Sequence, residues 1–317
     1  MAMQTLKRLW KNEYFQTALT VALILIIVFG LYYGAQAALG TEYPALAVAS
    51  GSMLPTLNIG DLIIVQKIDP AKIKADPING DILVFKSKFN PNERIVHRAI
   101  RVENKGGYFE ITTAGDNGGF PDSYSPWNSS LLVGKVIARI PAIGNLPLLL
   151  HSESNMYILF LALIIILMIL MLPFGSQEGK EPRKEEQPTE KKLFSKISLS
   201  LLFYIIINIV LLGLVIFSLW GSLTFWQPGA SPQQATIRGM LSDMQYHKGF
   251  AREVYLSQGF LTYQINYEVD DGIRQGVPTF SWCQFFLVIL VAYNAWKLYN
   301  ILEAYKTRKP AAGEANV

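Results

Sequence analysis

Apolar positions along this chain fall into two patterns: four unbroken runs, and short stretches that alternate apolar with polar residues between them. A helix crosses the hydrocarbon core of a bilayer with about 20 apolar residues. Residues 15–38, 156–174, 197–223 and 280–300 have that character and predict four transmembrane helices. The third run is Leu, Ile and Val on every side, so no polar face would let it sit at the surface of a soluble core. The first follows Lys7, Arg8 and Lys11 and ends near A-Q-A-A, as a cleavable leader would. Its apolar run exceeds the roughly 7–15 residues of a leader, which makes it an uncleaved anchor.

The alternating stretches predict strands. Residues 61–67, 81–86, 94–102, 108–113 and 131–140 are rich in Val, Ile, Thr and aromatics and are bounded by Gly, Pro and Asn. No helical period interrupts them, so residues 39–155 are expected to form a β-rich domain. Residues 224–279 form a second, smaller non-spanning segment. In it, 233–246 is expected to be a short helix entered at Ser231-Pro232. Leu261, Tyr263, Ile265, Tyr267 and Val269 alternate up to a turn at Asp271-Gly272, which predicts a hairpin. This segment is expected to cap the first domain. Residues 177–192, within the linker 175–196, mix Glu, Lys, Pro and Gln, which predicts a solvated connection.

Composition agrees with a membrane protein: 51% of residues are hydrophobic and mean hydropathy is +0.26. Basic residues flank the runs unevenly. Lys7, Arg8 and Lys11 precede the first, six Lys and Arg between Lys180 and Lys196 separate the second from the third, and Lys306, Arg308 and Lys309 follow the fourth. The positive-inside rule then puts residues 1–14, 175–196 and 301–317 in the cytoplasm and 39–155 and 224–279 outside a cell membrane. The net charge of +4 is spread over these segments, which excludes a nucleic-acid footprint. Cys283 is the only cysteine, so no disulfide framework is expected. His97, His151 and His247 lack ligand spacing, so neither a metal nor a cofactor is expected.

The candidate chemistry begins at A-S-G-S-M-L-P-T-L, residues 49–57, a short way beyond the first run. A serine hydroxyl such as that of Ser52 is a poor nucleophile until a base takes its proton. A histidine suits that task because its pKa lies near working pH. His97 lies in R-I-V-H-R-A-I-R-V, where strict alternation sends Val96, Arg98, Ile100 and Val102 to one face and Ile95, His97 and Ala99 to the other. Asp116 and Asp122 lie in G-D-N-G-G-F-P-D, either of which would serve as an orienting acceptor.

These pieces together resemble a type I signal peptidase of the archaeal and endoplasmic-reticulum kind (peptidase family S26). The resemblance rests on S-G-S-M-L-P-T-L at 50–57, I-G-D-L-I-I-V at 59–65, N-G-D-I-L-V-F at 79–85, V-H-R at 96–98, and G-D-N followed by Asp122. They occur in the family's order and cover roughly residues 15–145. The resemblance implies a membrane-anchored, mainly-β catalytic domain in which Ser52 is the nucleophile. It implies that His97 stands where the bacterial branch carries a lysine base, that Asp122 orients it, and that Asp116 supports. Ser50 would lend its hydroxyl to the oxyanion hole. Gly118 departs from the asparagine often found after G-D-N, and the spans after residue 150 exceed the minimal layout of the family.

The expected function is a membrane-bound serine endopeptidase that removes signal peptides from exported preproteins at the outer surface. Its partners would be those peptides, the lipid bilayer and the secretion machinery. Two other readings fit the same features: a maturation protease dedicated to a narrow set of surface precursors, and a non-catalytic assembly subunit that retains the fold.

Overall fold

The computed structural model describes residues 13–150, 199–226, 234–270 and 272–308. Among the described residues, three helices are long and apolar enough to cross a membrane: α1 (Glu13–Leu39), α3 (Leu199–Trp220) and α5 (Trp282–Arg308). They correspond to the first, third and fourth predicted spans. The run at 156–174, the linker 175–196 and the outermost residues of both termini lie outside the described residues. The third span stops earlier than expected, because Leu223 belongs to a strand, and the fourth helix runs on to Arg308. Apolar side chains such as Leu25, Ile26, Ile209 and Val291 face outward, where water would be a poor solvent. α3 and α5 pack along each other and share a polar bridge, in which the Asn294 amide donates to Asn208 Oδ1 at 2.7 Å and the Tyr204 hydroxyl donates to Asn294 Oδ1.

Most of the rest is one curled sheet of eleven strands. Its strands are β1 (Ala45–Ala47), β2 (Leu62–Gln66), β3 (Ile82–Lys86), β4 (Arg94–Asn104), β5 (Phe109–Ala114), β6 (Trp127–Asn128), β7 (Leu132–Ile140), β10 (Val254–Gly259), β11 (Thr262–Val269), β12 (Gly272–Arg274) and β13 (Thr279–Phe280). They join in the order β10-β11-β13-β7-β3-β4-β5-β6, with β1 on β2, β2 also on β7, and β12 on β11. All five strands expected in residues 39–155 are present. β3 reads as an unbroken apolar run because both of its faces are covered. Ile82 and Val84 join Met53, Leu57, Ile63, Val65 and Val136 in one core, while Leu83 and Phe85 join Ala99, Ile111 and Trp127 in another.

The simple alternation of β4 does not hold along its whole length. The pairing with β5 steps from Ala99↔Thr113 to Arg101↔Thr112, which leaves Ile100 as the extra residue of a bulge. Beyond the bulge Val102 packs with Ile95 and Ala99, the face opposite to the one alternation assigns it. His97 and Arg98 precede the bulge, so they still point to opposite sides.

The segment expected to cap the first domain is in part continuous with it: the strands over residues 254–280 extend the same sheet through Thr279↔Arg139. The helix expected over 233–246 is also shorter. Residues Gln234–Arg238 form β9, which pairs with β8 (Ser222–Trp226), and α4 (Met240–His247) begins only after Gly239. Local sequence could not show that 222–226 would serve as a strand partner, because the predicted third span ends inside it, at Leu223. The expected hairpin is present as β11 and β12, paired Val269↔Gly272 to Tyr267↔Arg274.

A buried charge cluster, together with β11 and β13, seals the joint between the two halves of the sheet. Arg139 donates to Asp61 Oδ2 at 2.9 Å, to Thr279 Oγ1 at 2.7 Å and to Asp243 Oδ2, while Asn58 Nδ2 donates to Asp243 Oδ1 at 2.8 Å. α2 (Asn145–Leu150) closes the N-terminal half beyond β7. Two carboxylates share one guanidinium here, and they divide it unequally. Burial pushes the Asp61 carboxyl up to about 6 despite Arg139. Burial also works against charge on Asp243, but Arg139, His247 and the Asn58 amide outweigh it and hold that group below the usual range. Between the ordinary carboxylate value of 3.8 and about 6 the folded state therefore binds more protons at Asp61 than the unfolded chain does. Stability at this residue falls as pH rises through that window, by about 3 kcal/mol for a shift of this size. Thermal melts of wild type and Asp61→Asn between pH 4 and 7 should show the wild type losing ground as pH rises. Parallel curves would contradict the shift.

Candidate active site

Ser52 sits in a tight double turn between β1 and β2. Leu54 N–H donates to Gly51 O at 3.2 Å and Leu57 N–H to Met53 O at 2.9 Å. Met53 and Leu57 plunge into the core while Ser50 stays exposed and Ser52 half-buried. This apolar-polar contrast pins the loop from below and leaves the serine on top. A second loop, 115–122, clamps it from the side: Asn117 N–H donates to Ser52 O at 3.0 Å and Asn117 Nδ2 to Gly51 O at 3.1 Å.

His97 rises from the middle of β4 beside that clamp. Its Nδ1 is 2.7 Å from Asp122 Oδ2, with the two side chains 12% and 8% exposed. The carboxylate is itself held. Thr113 Oγ1 donates to the same Oδ2 at 2.6 Å, and Asp122 N–H bonds to Thr113 O at 2.8 Å. Trp127 Nε1 donates to Thr113 Oγ1 at 3.1 Å from within the core. A carboxylate facing Nδ1 favours the tautomer with its proton there, which leaves the Nε2 lone pair bare. That atom turns toward Gly115, where a Cβ would lie 3.3 Å from His97 Nε2 and 2.6 Å from Ser52 O. The imidazole and the Ser52 backbone thus meet across a residue that must lack a side chain. In this structure the Ser52 hydroxyl is bonded to Ser50 Oγ at 3.3 Å, and not to the imidazole.

Gly115→Ala is expected to wedge these two groups apart and lower turnover by about 100-fold, the usual penalty for misplacing reacting groups by about 1 Å. Steady-state cleavage by the folded variant checks this; wild-type rates would contradict the contact.

Asp116 is elsewhere. Its two oxygens take Arg98 Nε at 2.8 Å and Arg98 Nη2 at 2.7 Å, plus the Thr56 hydroxyl, and its side chain is 1% exposed. Burial works against its charge, yet Arg98 and Arg274 keep the carboxyl below the usual range. Asp122 alone of the two carboxylates touches the ring. Asp116 braces the loop, and Arg98 carries that brace from the residue next to His97.

Sequence reasoning missed Tyr124, whose hydroxyl lies 3.1 Å from His97 Nδ1 and whose ring packs on Phe85. Burial and the neighbouring Asp122 push its pKa up, so it stays a neutral phenol, and with the ring proton on Nδ1 its own proton goes to the Asp122 carboxylate. Thr56 and Thr113 were missed as well. Ordinary hydroxyls in a turn and a strand carry no local signal. Only Arg98 had one, as a charged residue in the middle of a predicted strand.

A serine loop beside a histidine held by a carboxylate belongs to the class of arrangements that serine-type hydrolysis can use. Comparison with known proteins is consistent with that class. The family model described as signal peptidase, peptidase S26, matches residues 15–103. The chain is 30% identical over 155 residues to the human signal peptidase complex catalytic subunit SEC11C, covering 46% of this chain and 78% of that one. Over 164 residues it is 30% identical to the SEC11 subunit of Pyricularia oryzae, covering 48% and 90%. Over 167 residues it is 28% identical to sec11 of Dictyostelium discoideum, covering 50% and 89%. The chain belongs to the S26 family of signal peptidases, and so is a hydrolase.

Proposed function

We propose that this chain is a membrane-bound serine endopeptidase that removes N-terminal signal peptides from exported preproteins, with Ser52 as nucleophile, His97 as base and Asp122 as its orienting partner. Ser52 Oγ attacks the scissile carbonyl while its proton passes to His97 Nε2. The histidine returns that proton to the leaving amine, and water then hydrolyses the acyl-enzyme by the same route. Asp122 holds the ring and offsets the imidazolium charge. Ser50 Oγ and the Ser52 N–H receive the oxyanion. The observation that carries the reading is the 2.7 Å bond from His97 Nδ1 to Asp122, which turns Nε2 toward the serine loop.

Charge and hydropathy support the location: four predicted spans, with the sheet on the outer side and both termini in the cytoplasm. A secretory leader presents its cleavage site at that surface, and the serine follows α1 by only a short connection. The relatives are named catalytic subunits of a complex, which supports further membrane partners for this chain. The test is cleavage of a purified model preprotein by the full-length protein in lipid, with N-terminal sequencing of the product. Release of the mature N-terminus by the wild type, lost in Ser52→Ala, supports the reading. Cleavage that survives Ser52→Ala overturns it.

A further inference from the structure

The family match ends at residue 103, yet the braces behind the serine loop come from far beyond it. Tyr267, on β11, is fully buried, and its hydroxyl lies 2.7 Å from Thr56 Oγ1. Thr56 belongs to the loop that carries Ser52, four residues on, and its own hydroxyl donates to Asp116. Tyr267 must therefore be the donor to Thr56, since the single Thr56 proton is already committed. Asp116 in turn accepts from Arg98 and precedes Asn117, whose N–H holds Ser52 O at 3.0 Å.

Arg274, on β12, reaches the same loop from outside. Its Nη1 is 3.4 Å from Asp116 O and 3.5 Å from Asp116 Oδ1, and Nη2 donates to Pro77 O at 3.2 Å. Its guanidinium lies 6.0 Å from the centre of the Tyr267 ring. Both residues are fixed by a hairpin that the Arg139 cluster and β13 tie to the sheet.

We infer that the hairpin of residues 262–274 is a built-in positioning element for the catalytic serine: Tyr267, through Thr56 and Asp116, sets the distance between the Ser52 loop and His97. This rests on the Ser52–His97 reading above. A hydroxyl chain is suited to that task because each link is directional and buried, so a loop shifted by one bond length leaves a polar group unpaired. Mere packing of an aromatic ring would tolerate such a shift.

The experiment compares wild type, Tyr267→Phe, Thr56→Val, Thr56→Ser and the Tyr267→Phe/Thr56→Val double variant, all full-length in lipid. Single-turnover cleavage, KM and Tm are measured for each. Tyr267→Phe keeps the ring and removes the link, so kcat should fall about tenfold with KM unchanged within about twofold. Thr56→Val should do the same, the double variant should be no worse than either single one, and Thr56→Ser should retain wild-type turnover. A role in stability alone would lower Tm and leave the turnover of folded molecules intact, which overturns the inference. Losses that multiply in the double variant overturn it too. If Tyr267→Phe does not fold, the Thr56 pair reads the same link from the other end, and equal rates for Thr56→Val and wild type end the proposal. Activity remaining in Ser52→Ala would instead overturn the serine reading itself, whatever Tyr267 does.

Discussion

Cleavage of a model preprotein should disappear in Ser52→Ala and in His97→Ala, each losing about four to six orders of magnitude in kcat. The reason is chemical. In the proposed mechanism no acyl-enzyme forms without Oγ, and without the imidazole the hydroxyl proton has no acceptor at neutral pH. Neither substitution should unfold the protein. Ser52 is half-buried on a loop pinned by Met53 and Leu57, and His97 contributes one hydrogen-bonded ring at the edge of a packed strand. The two losses should not multiply in the double variant, because the residues act as one unit. Steady-state rates with circular dichroism as a folding control decide the matter. Strong residual turnover in either single variant removes that residue from the mechanism.

The two aspartates should fail in opposite ways. Asp122→Asn keeps the shape but presents either an amide N–H or a weaker acceptor to His97 Nδ1, so the ring can lose the tautomer that leaves Nε2 bare. The expected cost is about 100- to 10,000-fold in kcat with Tm near that of wild type. Asp116→Asn removes the counter-charge from an Arg98 side chain that is 3% exposed. An unpaired buried guanidinium costs about 3–5 kcal/mol, so Tm should drop by several degrees or more. Turnover per folded molecule should fall less than in Asp122→Asn. A catalytic collapse in Asp116→Asn at unchanged Tm would reverse the assignment of the two acids. Arg98→Met combined with Asp116→Leu offers a further check, because removing both charges should recover part of the lost stability.

Much of this could be read from the chain before folding. β2, β3, β4, β5 and β7 were legible because alternation and β-branched residues at 61–67, 81–86, 94–102, 108–113 and 131–140 are local signals. The helices α1, α3 and α5 were legible for the same reason, their apolar runs being long and uninterrupted. The failures share a cause. β9 carries no local strand signal of its own: it is fixed by pairing with Ser222–Trp226, the first two residues of which read as the end of the third span. Val102 was assigned to the wrong face because the bulge at Ile100 is set by pairing with β5, not by its own neighbours.

The same division runs through the candidate site. Residue types and local order determined that a serine loop, a histidine in a strand and two carboxylates on a glycine-rich turn belong to this protein. The resemblance of S-G-S-M-L-P-T-L and V-H-R to the signal peptidase family, not spacing by itself, marked Ser52 and His97. Alternation already sets His97 and Arg98 on opposite faces, but which carboxylate meets the imidazole was decided only when loop 115–122 folded beside β4 and brought Asp122 to His97 and Asp116 to Arg98. That residues near position 270 brace a loop near position 52 was likewise a tertiary outcome. Hydrogen bonds and ion pairs act over about 3 Å, while the residues that make them stand tens to hundreds of positions apart, so only the closed sheet could bring them together.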